Sequence, residues 1–453
     1  SSDINSDNNQ LPKSPSDWFS DDGLIAKNWK GYEKRLSQLA FIEDVYSAFS
    51  DNHILIAEAG TGLGKTLAYL SAGFLAAKRN KQSLVVSTYT KNLQEQLFTK
   101  DIPYLSQSLN VKINTVIYKG RHNYICQTRF QNIINNHTHL LKAYEYDALL
   151  ALVVWEWETK TGDIYECNGF NLNKYKRLWS LVRSESGSCS INQCRKYDGC
   201  YLGKLRNRVK DANIVIVNHS LFANELQRDN TSLPEEFIYV IDEAHHFADV
   251  IRDQLVQEFG INTLNDVFQY FDNNKKDWKI SILKKYSPIY EIYIQLTYES
   301  HSINQELRSF FDSYCNNRSE EIVKSDYYVN KHLYRNSQEE FVDANPKPWD
   351  LLASLQSFKQ NVQKFSILII KHKEQLPQSI LIELDVVEAC LDRGMDHFQT
   401  VLDTNNDNVK WASFIKRESQ ILTTLNSVPL KVKKFIYENL LNCYPSGIFC
   451  SAT

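Results

Sequence analysis

The chain has 453 residues, too many for one ordinary core and enough for about two to four domains. With 43% hydrophobic and 23% charged residues its composition is that of a globular protein, and a net charge of −3 excludes a globally basic nucleic-acid binder, so any nucleic-acid site must be local. No apolar run approaches the ~18 residues that span a bilayer, so no membrane partner is expected.

Residues 1–21 are rich in Ser, Asn and Asp and read as a disordered lead-in. They lack the basic and apolar regions of a signal peptide. The one methionine is Met395, so a trimmed start is expected. Nine cysteines without a secretory signal suggest a reducing cytoplasm and a metal centre rather than a disulfide framework. Cys315, Cys390, Cys443 and Cys450 stand singly and read as buried, inert thiols.

The first informative stretch is HILIAEAGTGLGKT. Residues 53–57 read as a short buried strand, and residues 66–78 repeat apolar positions at helical spacing. Between them lie Ala59, Gly60, Thr61, Gly62, Leu63, Gly64, Lys65 and Thr66. Glycines let backbone N–H groups turn inward around phosphate oxygens, and the helix N-terminus adds partial positive charge. Lys65 can reach the β and γ phosphates and Thr66 can ligate Mg²⁺, so ATP and Mg²⁺ are the expected cofactors. Ala59 stands where the strict pattern has glycine. Next, STYTKNLQEQL reads as a strand over 84–87, then Thr88 and Thr90, then a helix.

Cys126 closes YKGRHNYIC, and Cys189, Cys194 and Cys200 follow at C-x4-C-x5-C. This spacing is looser than that of ordinary zinc pairs. Basic residues (Lys119, Arg121, Lys196, Lys204, Arg206, Arg208, Lys210) and tyrosines (Tyr118, Tyr124, Tyr197, Tyr201) surround the cysteines. Charge with aromatic faces grips single strands without sequence preference. A solvated helix face is an equal reading for residues 204–210.

In EEFIYVIDEAHHFADVI, an apolar strand over 237–241 delivers Asp242, Glu243, Ala244 and His245. Asp242 would hold Mg²⁺ through water, Glu243 would polarise the attacking water as general base, and His245 would couple the site to movement of a neighbouring domain. Residues 257–407 show helical spacing and almost no glycine, so a helical bundle is expected, with Phe268, Tyr270, Phe271 and Tyr314 in its core. GIFCSAT reads as another strand, ending at Ser451, Ala452 and Thr453. Together these segments predict a parallel α/β sheet with ligand loops at its strand C-termini.

The series AGTGLGKT, STYTKNLQEQL, YKGRHNYIC, IVNHSLF, DEAH and SAT, in this order, resembles the XPD-like iron–sulfur DNA helicases, most closely the bacterial DinG/YoaA branch. The resemblance implies a RecA-like P-loop motor domain (22–120, 207–256 and 408–453). It would be interrupted by an iron–sulfur domain (121–206) and an all-helical Arch domain (257–407). It implies ATP-driven 5′ to 3′ translocation on single-stranded DNA, action at single-strand/duplex junctions, replication or repair partners and a cytoplasmic location. Gln38, after Arg35, matches the glutamine that reads adenine. Thr88, Thr90 and Arg121 fall in motifs that contact DNA. Cys126, Cys189, Cys194 and Cys200 match the ligands of a [4Fe–4S] cluster, a four-cysteine zinc site being the competing reading, and Cys167 is the spare. No QxxGRxxR-like segment occurs. The arginines of a second motor domain are therefore expected elsewhere, and this chain alone is expected to bind ATP and single strands without unwinding. A non-motor, ATP-gated binding module is the alternative, against which intact Lys65, Asp242 and Glu243 argue.

Overall fold

The computed structural model describes residues 12–28, 32–60, 62–185, 200–228, 231–272, 278–318, 329–404, 407–417 and 420–452. In chain order the strands are β1 (Ile54–Glu58), β2 (Ser83–Thr88), β3 (Thr115–Ile117), β4 (Ile214–Asn218), β5 (Phe237–Asp242), β6 (Gln257–Gly260), β7 (Val329–Tyr334), β8 (Asn408–Arg417), β9 (Gln420–Pro429) and β10 (Gly447–Ser451). The chain divides into two compact units. One comprises Ser1–Gly120, Gly203–Gln254 and Lys431–Thr453, the other Arg121–Leu202 and Leu255–Leu430.

The first unit is built on a six-stranded parallel sheet in the order β1-β10-β5-β2-β4-β3. β2 and β5 are buried at every position, which is why they read as unbroken apolar runs rather than alternating ones. Helices Leu36–Ser50 and Lys65–Asn80 cover one face, burying Phe41, Ile42, Val45, Leu70 and Phe74 against Leu84, Val86 and Val240. Rings of Phe222, Phe237, Tyr239, Phe247 and Tyr444 pack together on the other. Register then does the positioning. Glu58 lies opposite Ser451, Cys450 opposite Asp242, and Ser87 opposite Ile241. The loops after β1, β10, β5 and β2 therefore leave the sheet along one edge, where open parallel sheets bind ligands.

In the second unit, residues 121–202 have their own core, with Phe130, Leu149, Leu152, Trp155 and Trp179 from helices Gln127–Leu140, Tyr146–Glu158 and Lys176–Val182. Residues 255–430 combine the long helices Ser287–Asn316, Pro348–Lys371 and Gln378–Leu402 with a four-stranded antiparallel sheet, β6-β9-β8-β7. Phe268, Tyr270, Phe271 and Tyr314 are core residues, as expected.

That sheet corrects the expectation of an all-helical segment. It also moves the return to the first unit from residue 408 to Lys431. The physical reason lies in the hairpin of β8 and β9. Ala412, Phe414 and Leu425 are fully buried and join Phe259 of β6 in the core formed by the long helices. β6 and β7 carry few apolar residues and pair with distant segments, so their strand character has no local signal. The cysteine expectation is corrected as well: Cys450 is buried, but Cys443 is exposed, and Cys315 and Cys390 are half-buried. Among the described residues, no helix is long and apolar enough to cross a membrane.

Candidate nucleotide site

The loop after β1 is anchored at its start by Ala59, whose N–H donates to the Ser451 carbonyl at 2.9 Å. Gly62 and Gly64 both adopt φ +83°, a region that glycine enters without a Cβ penalty. At Gly64 a Cβ would also come within 2.3 Å of the Gln38 amide nitrogen. Thr61 lies outside the described residues. Helix Lys65–Asn80 starts directly after Gly64 with no side chain capping it, so its first-turn N–H groups are available to an anion.

Gln38 and Arg35 hold this loop from below. Gln38 is buried and donates to the Gly64 carbonyl at 3.2 Å, and Arg35 Nη1 donates to the Gly62 carbonyl. Tyr32, Arg35, Gln38, Gly62, Lys65 and Thr66 line a cleft of about 610 Å³, within the usual size of a small-molecule site. Gln38, expected to read adenine, thus reaches both the cleft wall and the loop backbone.

Asp242, at the end of β5, is 6% exposed. Three donors hold its carboxylate. Tyr69 Oη lies 3.1 Å from Oδ2, while the Glu243 N–H and Cys450 Sγ lie 3.1 and 3.6 Å from Oδ1. Burial pushes the Asp242 carboxyl up, against the Tyr69 hydrogen bond. Burial also pushes the Tyr69 hydroxyl and the Cys450 thiol well up, so both stay protonated and donate. Thr66 lies close enough to the Tyr69 hydroxyl to act on it, so the two expected Mg²⁺ ligands neighbour one hydroxyl. A hydroxyl and a carboxylate are the hard oxygen donors that Mg²⁺ takes, so these residues fit the ion.

Glu243 is a non-glycine residue at φ +56°. Its Oε1 lies 3.8 Å from Lys65 Nζ and its Oε2 lies 3.5 Å from His245 Nδ1. His245 Nδ1 also pairs with Ser451 Oγ at 2.7 Å. Behind this turn His219 is 1% exposed, with Nδ1 2.7 Å from Ser87 Oγ, and burial lowers its pKa to about 4. It is therefore a neutral imidazole at physiological pH.

Four positions here escaped the sequence reading: Arg35 as a loop holder, Tyr69, Cys450 and His219. Tyr69 has a faint signal, standing one helical turn beyond Lys65 on the same face. Cys450 has none until strand register pairs it with Asp242.

Residues 36–154 match the model of the DEAD/DEAH box helicase family. Over 443 residues the chain is 25% identical to "3'-5' exonuclease DinG" of Bacillus subtilis (strain 168), covering 93% of this chain and 46% of that protein. Over 255 residues it is 32% identical to "ATP-dependent DNA helicase YoaA" of Escherichia coli (strain K12), covering 55% and 39%. Over these spans the chain is similar to the DinG and YoaA helicases. It spans less than half the length of these two curated relatives. A solved structure titled "XPD_Helicase" covers 93% of this chain and 58% of its own, at 14% identity and TM-score 0.43.

Of the DNA-contact residues that the DinG/XPD resemblance nominates, Thr88 is corrected. It is fully buried, with its hydroxyl directed at the Thr90 carbonyl. Thr90 is exposed and caps helix Lys91–Gln96 by accepting from the Leu93 N–H. Arg121 opens a 3₁₀ turn, Arg121–Asn123, and is half-buried. Tyr118, Tyr124 and Tyr201 are buried and offer no stacking face, and Tyr197 lies outside the described residues. Lys204, Arg208 and Lys210 are exposed on a helix that buries Leu202, Leu205 and Val209, which is the solvated-face arrangement.

Cys189 and Cys194 lie outside the described residues. Cys126 and Cys200 border the same corner of the second unit. The Cys126 N–H donates to the Val182 carbonyl, Ile125 bridges Arg183, and the Ser184 N–H donates to the Tyr124 carbonyl. The chain thus enters residues 186–199 beside Cys126. On its return at Cys200, the next ring, Tyr201, lies over Gly162, where a Cβ would come within 2.5 Å of it. Gly162 in turn accepts from the Ile125 N–H at 3.0 Å. Two thiols at one corner, flanking a segment with two more, are soft donors that fit an iron–sulfur cluster or zinc.

Proposed function

We propose that this chain is the ATP-binding motor portion of a DNA helicase that translocates 5′ to 3′ on single-stranded DNA in replication or repair, in the cytoplasm. The observation that carries the reading is the single corner at which Lys65 and Thr66, from a helix N-terminus, meet Asp242 and Glu243, from the end of β5. ATP phosphates would lie over the first turn of helix Lys65–Asn80, with the Lys65 ammonium on the β and γ groups. Thr66 and Asp242 would hold Mg²⁺, which neutralises charge developing on the transferring phosphoryl group. Glu243 would orient a water and accept its proton as the water oxygen attacks the γ-phosphorus and the bond to the β-phosphate oxygen breaks, releasing ADP and phosphate. The His245–Ser451 hydrogen bond ties the turn bearing Glu243 to the end of β10.

Cys126, Cys189, Cys194 and Cys200 would hold a [4Fe–4S] cluster in a structural role, and Thr90 and Arg121 are the nominated DNA contacts. A motor of this class completes its site with arginines from a second motor domain, an effect worth ~10³-fold or more. The first unit, with its parallel sheet, would supply one such domain. The chain by itself is therefore expected to bind ATP and single strands without unwinding, and single-strand/duplex junctions to need the second domain.

DNA-stimulated ATP hydrolysis by this chain and its Lys65→Ala variant tests the reading. Nucleotide binding lost in the variant is the expected result. Absence of nucleotide binding in the unmodified chain would overturn the ATPase assignment, and robust turnover would overturn the dependence on a second domain. For the cysteines, anaerobic protein should carry iron and acid-labile sulfide; one equivalent of zinc without iron would sink the cluster.

A further inference from the structure

We propose that the stacked rings of Tyr89 and His246 are a coupling element: a nucleic-acid base stacked on the outer face of Tyr89 is linked through His246 to the turn that carries Glu243. The inference deepens the ATPase reading and rests on it.

Tyr89 lies on the loop that leaves β2 along the ligand edge of the sheet. Its neighbours are both engaged, Thr88 in the core and Thr90 as a helix cap. Tyr89 itself is 45% exposed. An exposed tyrosine ordinarily samples several rotamers. Here one ring face rests on His246, with centroids 3.9 Å apart and planes 21° from parallel. The ring is thus held by its inner face, and what remains exposed is a supported aromatic surface. Such surfaces stack on bases of single strands regardless of sequence.

His246 continues the contact inward. Its N–H donates to the Glu243 carbonyl at 3.1 Å, and its ring lies 3.9 Å from that of His245, which reaches the Glu243 carboxylate and Ser451. Tyr89 also sits 6.2 Å from the ring of His219, which is bonded to Ser87 of the same strand. Glu243 holds a left-handed backbone conformation, disfavoured for a residue with a Cβ, so its placement depends on what packs around the turn. A base that shifts or fixes Tyr89 acts on that packing directly. His246 is a positioning residue in this scheme and touches neither nucleotide nor nucleic acid.

The test is a thermodynamic cycle on the whole chain, with a non-hydrolysable ATP analogue and oligothymidylate as probes. Saturating oligothymidylate should change the affinity for the analogue ~5-fold or more, and the analogue should change oligothymidylate affinity by the same factor. His246→Ala should bring that factor to about 1 while leaving analogue affinity without oligothymidylate within about 2-fold. His246→Phe, which keeps a stacking ring, should preserve the coupling. Tyr89→Ala should weaken oligothymidylate ~5- to 100-fold with analogue affinity unchanged. Wild-type coupling in His246→Ala, or wild-type oligothymidylate affinity in Tyr89→Ala, overturns the proposal. A wild type that binds both probes without coupling overturns the relay alone; one that binds neither overturns the ATPase reading and the relay with it.

Discussion

The proposed nucleotide corner draws its groups from neighbouring strand ends of one parallel sheet, whereas Cys126 follows two isolated bridges and Cys200 precedes a ring that lies over Gly162. Ala59, Asp242, Cys450 and Ser451 are fixed relative to one another by backbone register. That arrangement exists without any ligand. Two of the four proposed donors of the cysteine corner, Cys189 and Cys194, lie outside the described residues. Sites of that kind are commonly completed by the metal itself, so that binding and local folding are one event.

The largest effect that tests this contrast is at Glu243. Glu243→Gln should lower ATP turnover by ~10²–10⁴-fold in the assembled motor while nucleotide affinity, measured by equilibrium titration, holds. A retained rate would place the general base elsewhere. Cys126→Ser should abolish iron incorporation, read by iron and sulfide content, and leave nucleotide affinity untouched because the sheet holds that site. A parallel loss of nucleotide binding would break the comparison.

His219 gives an intermediate effect. Its folded pKa, about 4, lies below the ordinary 6.5, so the unfolded chain takes up the proton first as pH falls. The stability tied to the neutral imidazole is fully present above pH 6.5 and lost progressively down to about pH 4, a difference of about 3 kcal/mol. Urea unfolding of His219→Asn should lose about that much less over the same interval than the wild type. An identical acid slope would mean His219 is not buried and neutral. The smallest effect is at Tyr69. Tyr69→Phe removes the hydroxyl that donates to Asp242 beside Thr66 and should raise the Mg²⁺ concentration needed for nucleotide binding by about 5-fold. An unchanged Mg²⁺ requirement would make that hydroxyl incidental.

The candidate nucleotide site was largely legible because its groups are contiguous in sequence. Glycines at fixed offsets before Lys65 and Thr66 declare a backbone conformation, and Asp242 and Glu243 sit at the end of a run too apolar to be anything but a buried strand. The antiparallel sheet of the second unit was not legible. β6 and β7 alternate weakly, and their partners lie far along the chain, Gln257 pairing with Ser427 and Val329 with Ile415. Aromatic content misled as well: Tyr118 and Tyr201 look like stacking faces in sequence, yet Tyr118 donates to Glu225 and Tyr201 to Glu156 inside their own units.

What the sequence by itself determined is the set of groups proposed for ATP chemistry and the parallel sheet that carries them, since residue type and local spacing dictate both. Only the tertiary structure decided that Tyr69 and Cys450 hold Asp242, that Thr88 is withdrawn, and that Tyr89 lies on His246. Those contacts join residues whose neighbourhood is set by strand register and packing, and register is a property of the sheet, not of any one of its segments.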